Sequence, residues 1–330
     1  MRDFVSEKIL SVENLSFSLE ERPLIQKLSV ELKKHEILAF LGQSGSGKST
    51  LLKLIAGLLE PESGELTIEG ERITPPSEKL IPGHDKIKIV RQDNPLFPNI
   101  SLRENIAYEL RFYNKEYRTA RVERLLELTR LTDVADHLPR FSSEGEQQRA
   151  AIARALADEP ALLLLDEPFS NLDYTNKQRL KQEVQQIVHE EDMACIFVTH
   201  DIYDVFGLAS NLAILRAGEI TQFGEPLHVY AKPNSEYEAG LTGAYNCFGA
   251  VWAKAHLGLK VKGKSVVVRP ENITLGGKVE AEIKAVTKRG FYTELVLEKA
   301  GMHFSVFTMQ SDFSIGEKTG FAVASYHELA

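Results

Sequence analysis

Residues 42–49 read GQSGSGKS and match the spacing G-x-x-x-x-G-K-[ST]. Glycines at these places allow the backbone N–H groups to close around phosphate oxygens. A lysine in such a loop reaches the outer phosphates, and the hydroxyl that follows it binds Mg²⁺. The spacing therefore predicts a nucleoside triphosphate site, and the predicted contacts are Gly42, Gln43, Ser44, Gly45, Ser46, Gly47, Lys48, Ser49 and Thr50.

Two acids and a histidine stand where they could act on that triphosphate. Asp166 and Glu167 follow the apolar run ALLLL, and His200 follows the apolar run ACIFVT. In a parallel sheet, the carboxyl ends of neighbouring strands meet at one edge, where ligands bind. Asp166 is suited to holding Mg²⁺, and Glu167 to activating water as a general base. Each side chain alone is more often a cap, a surface charge or a packing residue, but their positions after the phosphate loop favour catalysis.

The surrounding pattern predicts an α/β fold. The run EILAFL precedes the phosphate loop and STLLKLIAGLLE follows it, which gives the order strand, loop, helix. Short alternating runs in residues 1–35 predict an antiparallel β subdomain. Between about residues 95 and 150, Arg, Glu and Leu recur at helical spacing, so this stretch is a predicted helical insert.

A second domain is predicted near the carboxyl end of the chain. The segment AKPNSEYEAGLTGAYN is rich in turn-forming residues, so we place the domains at residues 1–240 and 241–330. Downstream of the boundary, short alternating strands are separated by glycine-containing turns. This pattern is typical of a small, OB-like β-barrel.

The composition narrows the classes of function. A net charge of -8 and a pI near 5.7 disfavour a nucleic acid partner, because an acidic surface repels a phosphate backbone. The two cysteines, Cys195 and Cys247, have neither CxxC spacing nor the number that a disulfide framework needs. No apolar run approaches the roughly 20 residues of a membrane span. The composition therefore predicts a protein of the reducing cytoplasm that does not cross a bilayer by itself.

Six segments resemble those of the ATP-binding subunits of ABC transporters, in the same order and over nearly the whole chain. They are the phosphate loop at 42–50, the glutamine of VRQDNPLFP (Gln92), the signature segment at 142–149, the strand that ends in Asp166 and Glu167, the segment SNLD at 170–173, and His200. The resemblance implies a P-loop NTPase that uses ATP and Mg²⁺, and in which two subunits close on two nucleotides.

The resemblance also implies roles for single residues. Gln92 would bind the metal ion together with Ser49 and Asp166, and it would sense the membrane subunit. Asp173 would link the two nucleotide sites across the dimer. His200 would hold the terminal phosphate, so the implied catalytic set is Glu167, His200, Gln92 and Lys48.

The signature segment departs from the family pattern LSGGQ or LSGGE followed by QQR. Ser142 replaces leucine and Glu144 replaces glycine, whereas Ser143, Gly145 and Glu146 match and would act on the partner's ATP. A carboxylate beside a phosphate repels it, and a glycine can be required for its backbone angles. Two arrangements stay open: a working interface with Glu144 turned to water, and a weakened site.

The adenine position departs as well. The family usually places an aromatic ring about 25 to 30 residues before the phosphate loop, where it stacks on the base. Here the matching position is Leu19, and Phe17 lies two residues earlier. Leu19 and Phe17 are therefore the candidates for contact with the base.

The carboxyl-terminal region points to an importer. The segment VVVRPENITL at 266–275 resembles the accessory domain of ATPases that serve bacterial importers of sugars, ferric iron, polyamines and oxyanions, although its arginine and carboxylate also fit a salt-bridged turn. The resemblance implies a peripheral protein at the cytoplasmic face of the membrane. Its expected partners are a second ATPase subunit, as a homodimer with a heterodimer left open, transmembrane permease subunits, and an external substrate-binding protein.

The face that would dock onto the permease includes PLFPNISLRENIAYEL in the helical insert, whose spacing also fits plain helix packing. Two other functions stay open, namely a regulatory nucleotide-binding module with little turnover and a soluble ABC ATPase that is not coupled to transport. A P-loop kinase is disfavoured, because the signature and SNLD segments would have no role in it.

Overall fold

The computed structural model describes residues 7–93 and 96–329. Residues 1–6, Asn94, Pro95 and Ala330 lie outside this part of the chain, so the predicted helical insert is described from Leu96 onward. The chain divides between Pro226 and Leu227 into two compact units.

The first unit is built on ten strands and six helices of the described chain. The strands are β1 (Lys8–Leu19), β2 (Arg22–Lys33), β3 (Ile37–Leu41), β4 (Ser63–Ile68), β5 (Glu71–Arg72), β6 (Ile87–Val90), β7 (Leu162–Asp166), β8 (Ala194–Thr199), β9 (Asn211–Arg216) and β10 (Glu219–Gly224). The helices are α1 (Lys48–Ile55), α2 (Leu102–Glu109), α3 (Lys115–Leu128), α4 (Glu144–Ala155), α5 (Tyr174–Glu190) and α6 (Ile202–Val205). Helix α7 (Pro226–Ala231) begins at the boundary, and short 3-10 turns lie at Pro76–Glu78, Thr132–Val134 and Pro139–Phe141.

The main sheet of the first unit has the strand order β10-β9-β3-β8-β7-β6. All neighbouring strands in it are parallel except β10, which pairs antiparallel with β9. Every residue of β3 and β8 is buried, because central parallel strands are covered on both faces. This order places the carboxyl ends of β3, β7 and β8 side by side, as the apolar runs predicted.

A second, antiparallel sheet of order β2-β1-β4-β5 packs against the same hydrophobic core. Its long hairpin pairs Phe17 with Ile25 and Leu19 with Arg22. Side chains from β1, β2, helix α1 and the main sheet fill this core together. The predicted antiparallel β subdomain is therefore confirmed.

The predicted helical insert contains α2, α3 and α4. Helix α2 begins with a capping box in which the Ser101 side chain accepts from the Glu104 N–H while the Glu104 carboxylate accepts from the Ser101 N–H. Asn105 is fully buried, and its amide donates to the carbonyls of Phe97, Ile100 and Ser101. These hydrogen bonds hold the segment 97–101, which leads into the insert, against helix α2.

The second unit consists of two antiparallel sheets around one core. Its further elements are α8 (Glu236–Thr242), β11 (Asn246–Gly249), α9 (Ala250–Leu257), β12 (Ser265–Val268), β13 (Ile273–Lys288), β14 (Thr293–Lys299), β15 (Met302–Thr308), β16 (Lys318–Val323) and β17 (His327–Leu329), with a 3-10 turn at Pro270–Asn272. The sheets have the orders β11-β12-β17 and β15-β14-β13-β16. Both contribute to the core, which suits the small barrel-like domain that the sequence predicted. Helix α9 was not predicted.

The division between the units precedes the predicted boundary near residue 240, and Arg269 gives the physical reason. This guanidinium is 3% exposed and stacks on the Tyr230 ring at 4.0 Å. Its nitrogens donate to the Thr242 hydroxyl and to the carbonyls of Tyr230, Ala239, Gly243 and Ala244. Arg269 thereby ties α7 and α8 to the end of β12. No ion pair links it to Glu271 among the described residues, so the salt-bridged turn that the sequence left open is not what forms.

We expect Arg269→Met to lower the free energy of unfolding of the second unit by about 3 kcal/mol, because four carbonyls and a hydroxyl would lose buried donors. Denaturant unfolding of the full chain, followed by the fluorescence of Trp252, measures this change. The matched control is Arg289→Met, which removes an exposed arginine paired with Glu294 and should change the value by less than about 0.5 kcal/mol. Equal effects of the two substitutions would contradict the role given to Arg269.

Candidate functional site

The phosphate loop joins β3 to α1 and depends on two glycines in particular. Gly47 has a φ of +100°, and a Cβ at this position would lie 2.7 Å from the Leu24 carbonyl oxygen. A Cβ on Gly42 would lie 2.5 Å from the carbonyl oxygen of Leu215. Glycine is therefore required at both positions, since the loop passes directly against the backbone of neighbouring strands.

Lys48 lies inside this loop and is the first residue of α1. Its ammonium donates to the carbonyl oxygens of Gly42 at 2.8 Å and Gln43 at 3.0 Å, and the residue is 6% exposed. Burial lowers the pKa of Lys48, while the nearby Glu167 and Asp166 carboxylates oppose that shift. The loop thus holds a desolvated cation where phosphate oxygens could replace its carbonyl partners.

Ser49 and Asp166 come together across the site. The Ser49 hydroxyl donates to the Asp166 carboxylate at 2.9 Å. Burial raises the pKa of Asp166, against the lowering effect of the Ser49 hydrogen bond. Gln92 is exposed in the turn after β6, and it lines the same cleft as Asp166, of about 460 Å³. A hydroxyl, a carboxylate and an amide oxygen are the hard donors that Mg²⁺ prefers, so these residues fit the predicted metal set.

Glu167 and His200 also meet at this edge. Nδ1 of His200 lies 3.1 Å from Oε2 of Glu167. Glu167 has a φ of +48°, a left-handed conformation that is rare for a residue with a long side chain. Its N–H donates to the Val198 carbonyl, and its own carbonyl accepts from the Ser170 hydroxyl. The backbone therefore holds this strained residue from both sides and directs its carboxylate toward the histidine.

A buried network behind His200 was missed in the sequence. The Thr199 hydroxyl donates to the Asp204 carboxylate at 2.7 Å and accepts from the Asp201 N–H. The Lys177 ammonium lies 2.7 Å from the same Asp204 carboxylate. Since Thr199 and Asp201 flank His200, the network fixes the backbone that carries it. The only sequence signal was the hydroxyl and acids around the histidine in THDIYD.

The signature segment begins helix α4. Ser143 is the N-cap, and it forms a capping box with Glu146, whose carboxylate accepts from the Ser143 N–H at 2.7 Å. Gly145 is buried, and a Cβ on it would lie 3.6 Å from the Asn176 side chain. Ser143 and Glu146 therefore stabilise the helix end that carries the segment.

Glu144, the replacement for glycine, is the first residue of α4. It is exposed, and it is not among the described residues with positive φ. A carboxylate in the first turn of a helix also interacts favourably with the helix dipole. The backbone at this position therefore does not require glycine, and the Glu144 side chain faces water in the single chain.

Asp173 is the N-cap of helix α5. Its carboxylate accepts from the backbone N–H and from the side-chain amide of Asn176. The backbone hydrogen bond from Asn176 lowers the pKa of Asp173. The residue is exposed and carries its charge at the end of the SNLD segment.

The two candidates for contact with adenine lie on the hairpin beside the phosphate loop. Phe17 is half-buried, packs on the core and pairs with Ile25, whose side chain would be 3.1 Å from a Cβ on Gly47. Leu19 lies at the hairpin tip and is 57% exposed. The structure thus places Phe17 close to the loop through Ile25, and Leu19 at the more accessible tip of the same hairpin.

Comparison with known proteins agrees with this geometry. The family model described as "ABC transporter" matches residues 25–170. The iron(III) import ATP-binding protein FbpC 2 of Haemophilus influenzae is 34% identical over 346 residues, which cover 96% of each chain. The chain belongs to the ABC transporter family. As a member, it is an ATP-binding protein of the class that hydrolyses ATP to drive transport.

Other ABC proteins extend the comparison. The spermidine/putrescine import ATP-binding protein PotA of Nitratidesulfovibrio vulgaris is 34% identical over 254 residues, which cover 76% of this chain and 67% of that protein. A dimeric ATP-binding cassette, solved in a post-hydrolysis state with ADP and phosphate, superposes with a TM-score of 0.58 at 28% identity, over 66% of this chain and 99% of the other. The P-loop fold predicted from the sequence is confirmed.

Proposed function

We propose that this chain is the ATP-hydrolysing subunit of an ABC importer and that two copies close on two ATP molecules. The observation that carries the proposal is the meeting of Ser49, Asp166, Glu167 and His200 at one sheet edge, beside a loop that buries Lys48. Each of these side chains has a position suited to one part of phosphoryl transfer to water.

The chain's own residues divide the chemistry between them. Lys48 and the loop N–H groups bind the β- and γ-phosphates, and His200 donates to the γ-phosphate. Glu167 accepts the proton of the attacking water, since its carboxylate already lies beside His200. Ser49, Asp166 and Gln92 would hold Mg²⁺, which, when bound, neutralises charge on the phosphates. Glu167 has a left-handed backbone, and its carboxylate lies beside His200.

A second copy would supply the remaining contacts. The first turn of α4 and its exposed N-cap, Ser143, lie at the helix end that would face the other copy. The dipole of such a helix end attracts phosphate oxygens. The dimeric ATP-binding cassette with ADP and phosphate supports two-fold closure as the arrangement.

Import rather than export is supported by the relatives, which are import ATP-binding proteins for iron(III) ions and for polyamines. Among residues 7–93 and 96–329, no helix has the length and apolar character needed to cross a bilayer. As the import ATP-binding relatives support, the transmembrane path would come from separate permease subunits on whose cytoplasmic face the chain sits, with an external binding protein delivering the substrate.

The helical insert supplies a candidate docking groove for the permease. A cavity of about 570 Å³ lies between the insert and residues 79–91. On one side of this cavity, Leu80 is fully exposed and Ile81 is 79% exposed. On the other side, the Arg154 guanidinium lies over the Phe97 ring. Glu109 also lines the groove and pairs with Arg154 at 2.8 Å, so exposed apolar side chains lie beside paired charges. A groove of this kind suits a short amphipathic segment of a membrane protein.

The test is ATP turnover by the purified chain, alone and after co-purification with permease subunits encoded beside it. We expect slow turnover alone and a rise of about tenfold or more with the permease in liposomes that also contain the binding protein and its substrate. A chain that binds ATP but turns it over at the same negligible rate in both conditions would instead be a regulatory module.

Glu144 offers a prediction about the altered signature. We expect Glu144→Gln, which removes the charge and keeps the size, to change ATP turnover by less than about twofold, because the side chain is exposed and screened by salt. Steady-state hydrolysis at low and physiological salt measures it, and Glu116→Gln, in the first turn of α3, is the matched control. A rise of more than about tenfold at low salt would show that Glu144 repels the partner's phosphate and weakens the site.

A further inference from the structure

A buried pair of charges lies between helices α4 and α5, and its arginine is the last residue of the signature segment. Glu183 of α5 is 1% exposed, and Arg149 of α4 is 6% exposed. Arg149 Nε lies 3.9 Å from Glu183 Oε2, and Arg130 Nε lies 3.8 Å from Glu183 Oε1. Within the described part of the chain, the two carboxylate oxygens of Glu183 have no hydrogen-bond partner, and the Arg149 Nε has none either.

This pair is poorly explained as a device for stability. A buried ion pair offsets the loss of hydration only when close hydrogen bonds join its members, and here the contact is long and unsatisfied. Burial raises the pKa of Glu183 even though three arginines, Arg149, Arg130 and Arg179, act to lower it. An apolar pair of similar volume would be expected to stabilise the packing of α4 on α5 at least as well.

The position of the pair suggests another role. Arg149 lies four residues after Gly145 and therefore on the same face of α4. Gly145 faces Asn176 near the beginning of α5, and Asn176 donates to Asp173. Glu183 lies seven residues after Asn176, again on the same face of its helix. Helix α4 thus meets α5 at two points, once at the signature segment and once at the charged pair.

We propose that Glu183 is a positioning residue that acts through Arg149. Two contact points fix the direction of a helix where one contact would leave it free to pivot. The charged pair is the second point, so it sets the direction in which the first turn of α4 presents Ser143 and Gly145 to the ATP of the other copy. Charged partners are specific in register, whereas apolar partners tolerate sliding. This inference rests on the proposed ATP-driven closure of two copies.

A double-mutant cycle tests the proposal. Arg149→Met and Glu183→Met are made singly and together, because each single change leaves a buried charge without its partner, whereas the double change leaves none. The double variant is expected to unfold at or above the wild-type denaturant midpoint and to bind ATP as a monomer with unchanged affinity. Its kcat is expected to fall about tenfold, and the ATP concentration needed to dimerise it in the Glu167→Gln background is expected to rise about tenfold.

Recovery of activity in the double variant would contradict the proposal. If the double variant regains both stability and wild-type turnover, the pair is only a structural contact and the proposal fails. The matched control is the double change Arg124→Met with Glu190→Met, which removes an exposed ion pair between α3 and α5 and should leave kcat within about twofold. The wild-type chain and Glu167→Gln are measured alongside. If the wild-type chain shows no ATP turnover and Glu167→Gln forms no ATP-dependent dimer, the proposed function itself is wrong.

Discussion

Replacing Glu167 by Gln is expected to reduce ATP turnover by about 10²- to 10⁴-fold while leaving ATP binding intact, because the amide cannot accept the proton of the attacking water. The variant should therefore accumulate as an ATP-bound dimer. Gln keeps the length of the side chain, so the contact with His200 at 3.1 Å can persist as a hydrogen bond. Size-exclusion chromatography with multi-angle light scattering, with and without Mg-ATP, measures dimer formation, and phosphate release measures turnover.

The control for this variant is Glu191→Gln, which replaces a glutamate that pairs with Arg121 at the carboxyl end of α5, away from His200. It should hydrolyse ATP at close to the wild-type rate and should not accumulate as a dimer. If Glu167→Gln stays monomeric at saturating ATP, closure of two copies on the nucleotide is wrong for this chain acting alone.

Replacing Lys48 by Met is expected to weaken ATP binding by about tenfold to a hundredfold, since a charge-assisted hydrogen bond to phosphate is worth about 1.5 to 3 kcal/mol. Turnover should fall further, by about 10²- to 10³-fold, because negative charge builds up on the phosphate oxygens in the transition state. Fluorescent nucleotide titration and phosphate release separate the two effects.

Lys34→Met is the matched control, because Lys34 pairs with Asp192 outside the phosphate loop. It should bind and hydrolyse ATP as the wild type does. Equal losses in both variants would mean that general surface charge, rather than the loop lysine, governs nucleotide affinity.

The sequence predicted those elements whose signal is local and strong. The strands β3, β7 and β8 are short runs of apolar residues on both faces, and the phosphate loop has a spacing with a definite chemical purpose. Strand β6 was missed because its four residues, IKIV, are too few to establish a period. Helix α9 was missed because its segment AVWAKAHL lies among strands and has only a weak apolar stripe.

The side chains of the site and the buried polar contacts around them also differ in how far the sequence predicts them. The positions of Lys48, Asp166, Glu167 and His200 at one edge followed from strand order, so their meeting could be predicted. The bonds of Arg269 to five partners, and the burial of Glu183, could not be predicted, because they depend on how distant segments approach each other. Glu183 in particular lies in the strongly polar stretch KQEVQQIVHEE, where a sequence pattern indicates a surface position.

The left-handed backbone at Glu167 has a consequence for variants that carry another residue at this position. A non-glycine residue in this conformation costs about 1 to 2 kcal/mol, so the wild-type fold carries a local loss of stability at the residue that we propose as the general base. Asparagine or glycine at position 167 would relieve that strain and yield an inactive subunit that is folded and long-lived. Such subunits would compete with active ones for places in the proposed two-copy assembly.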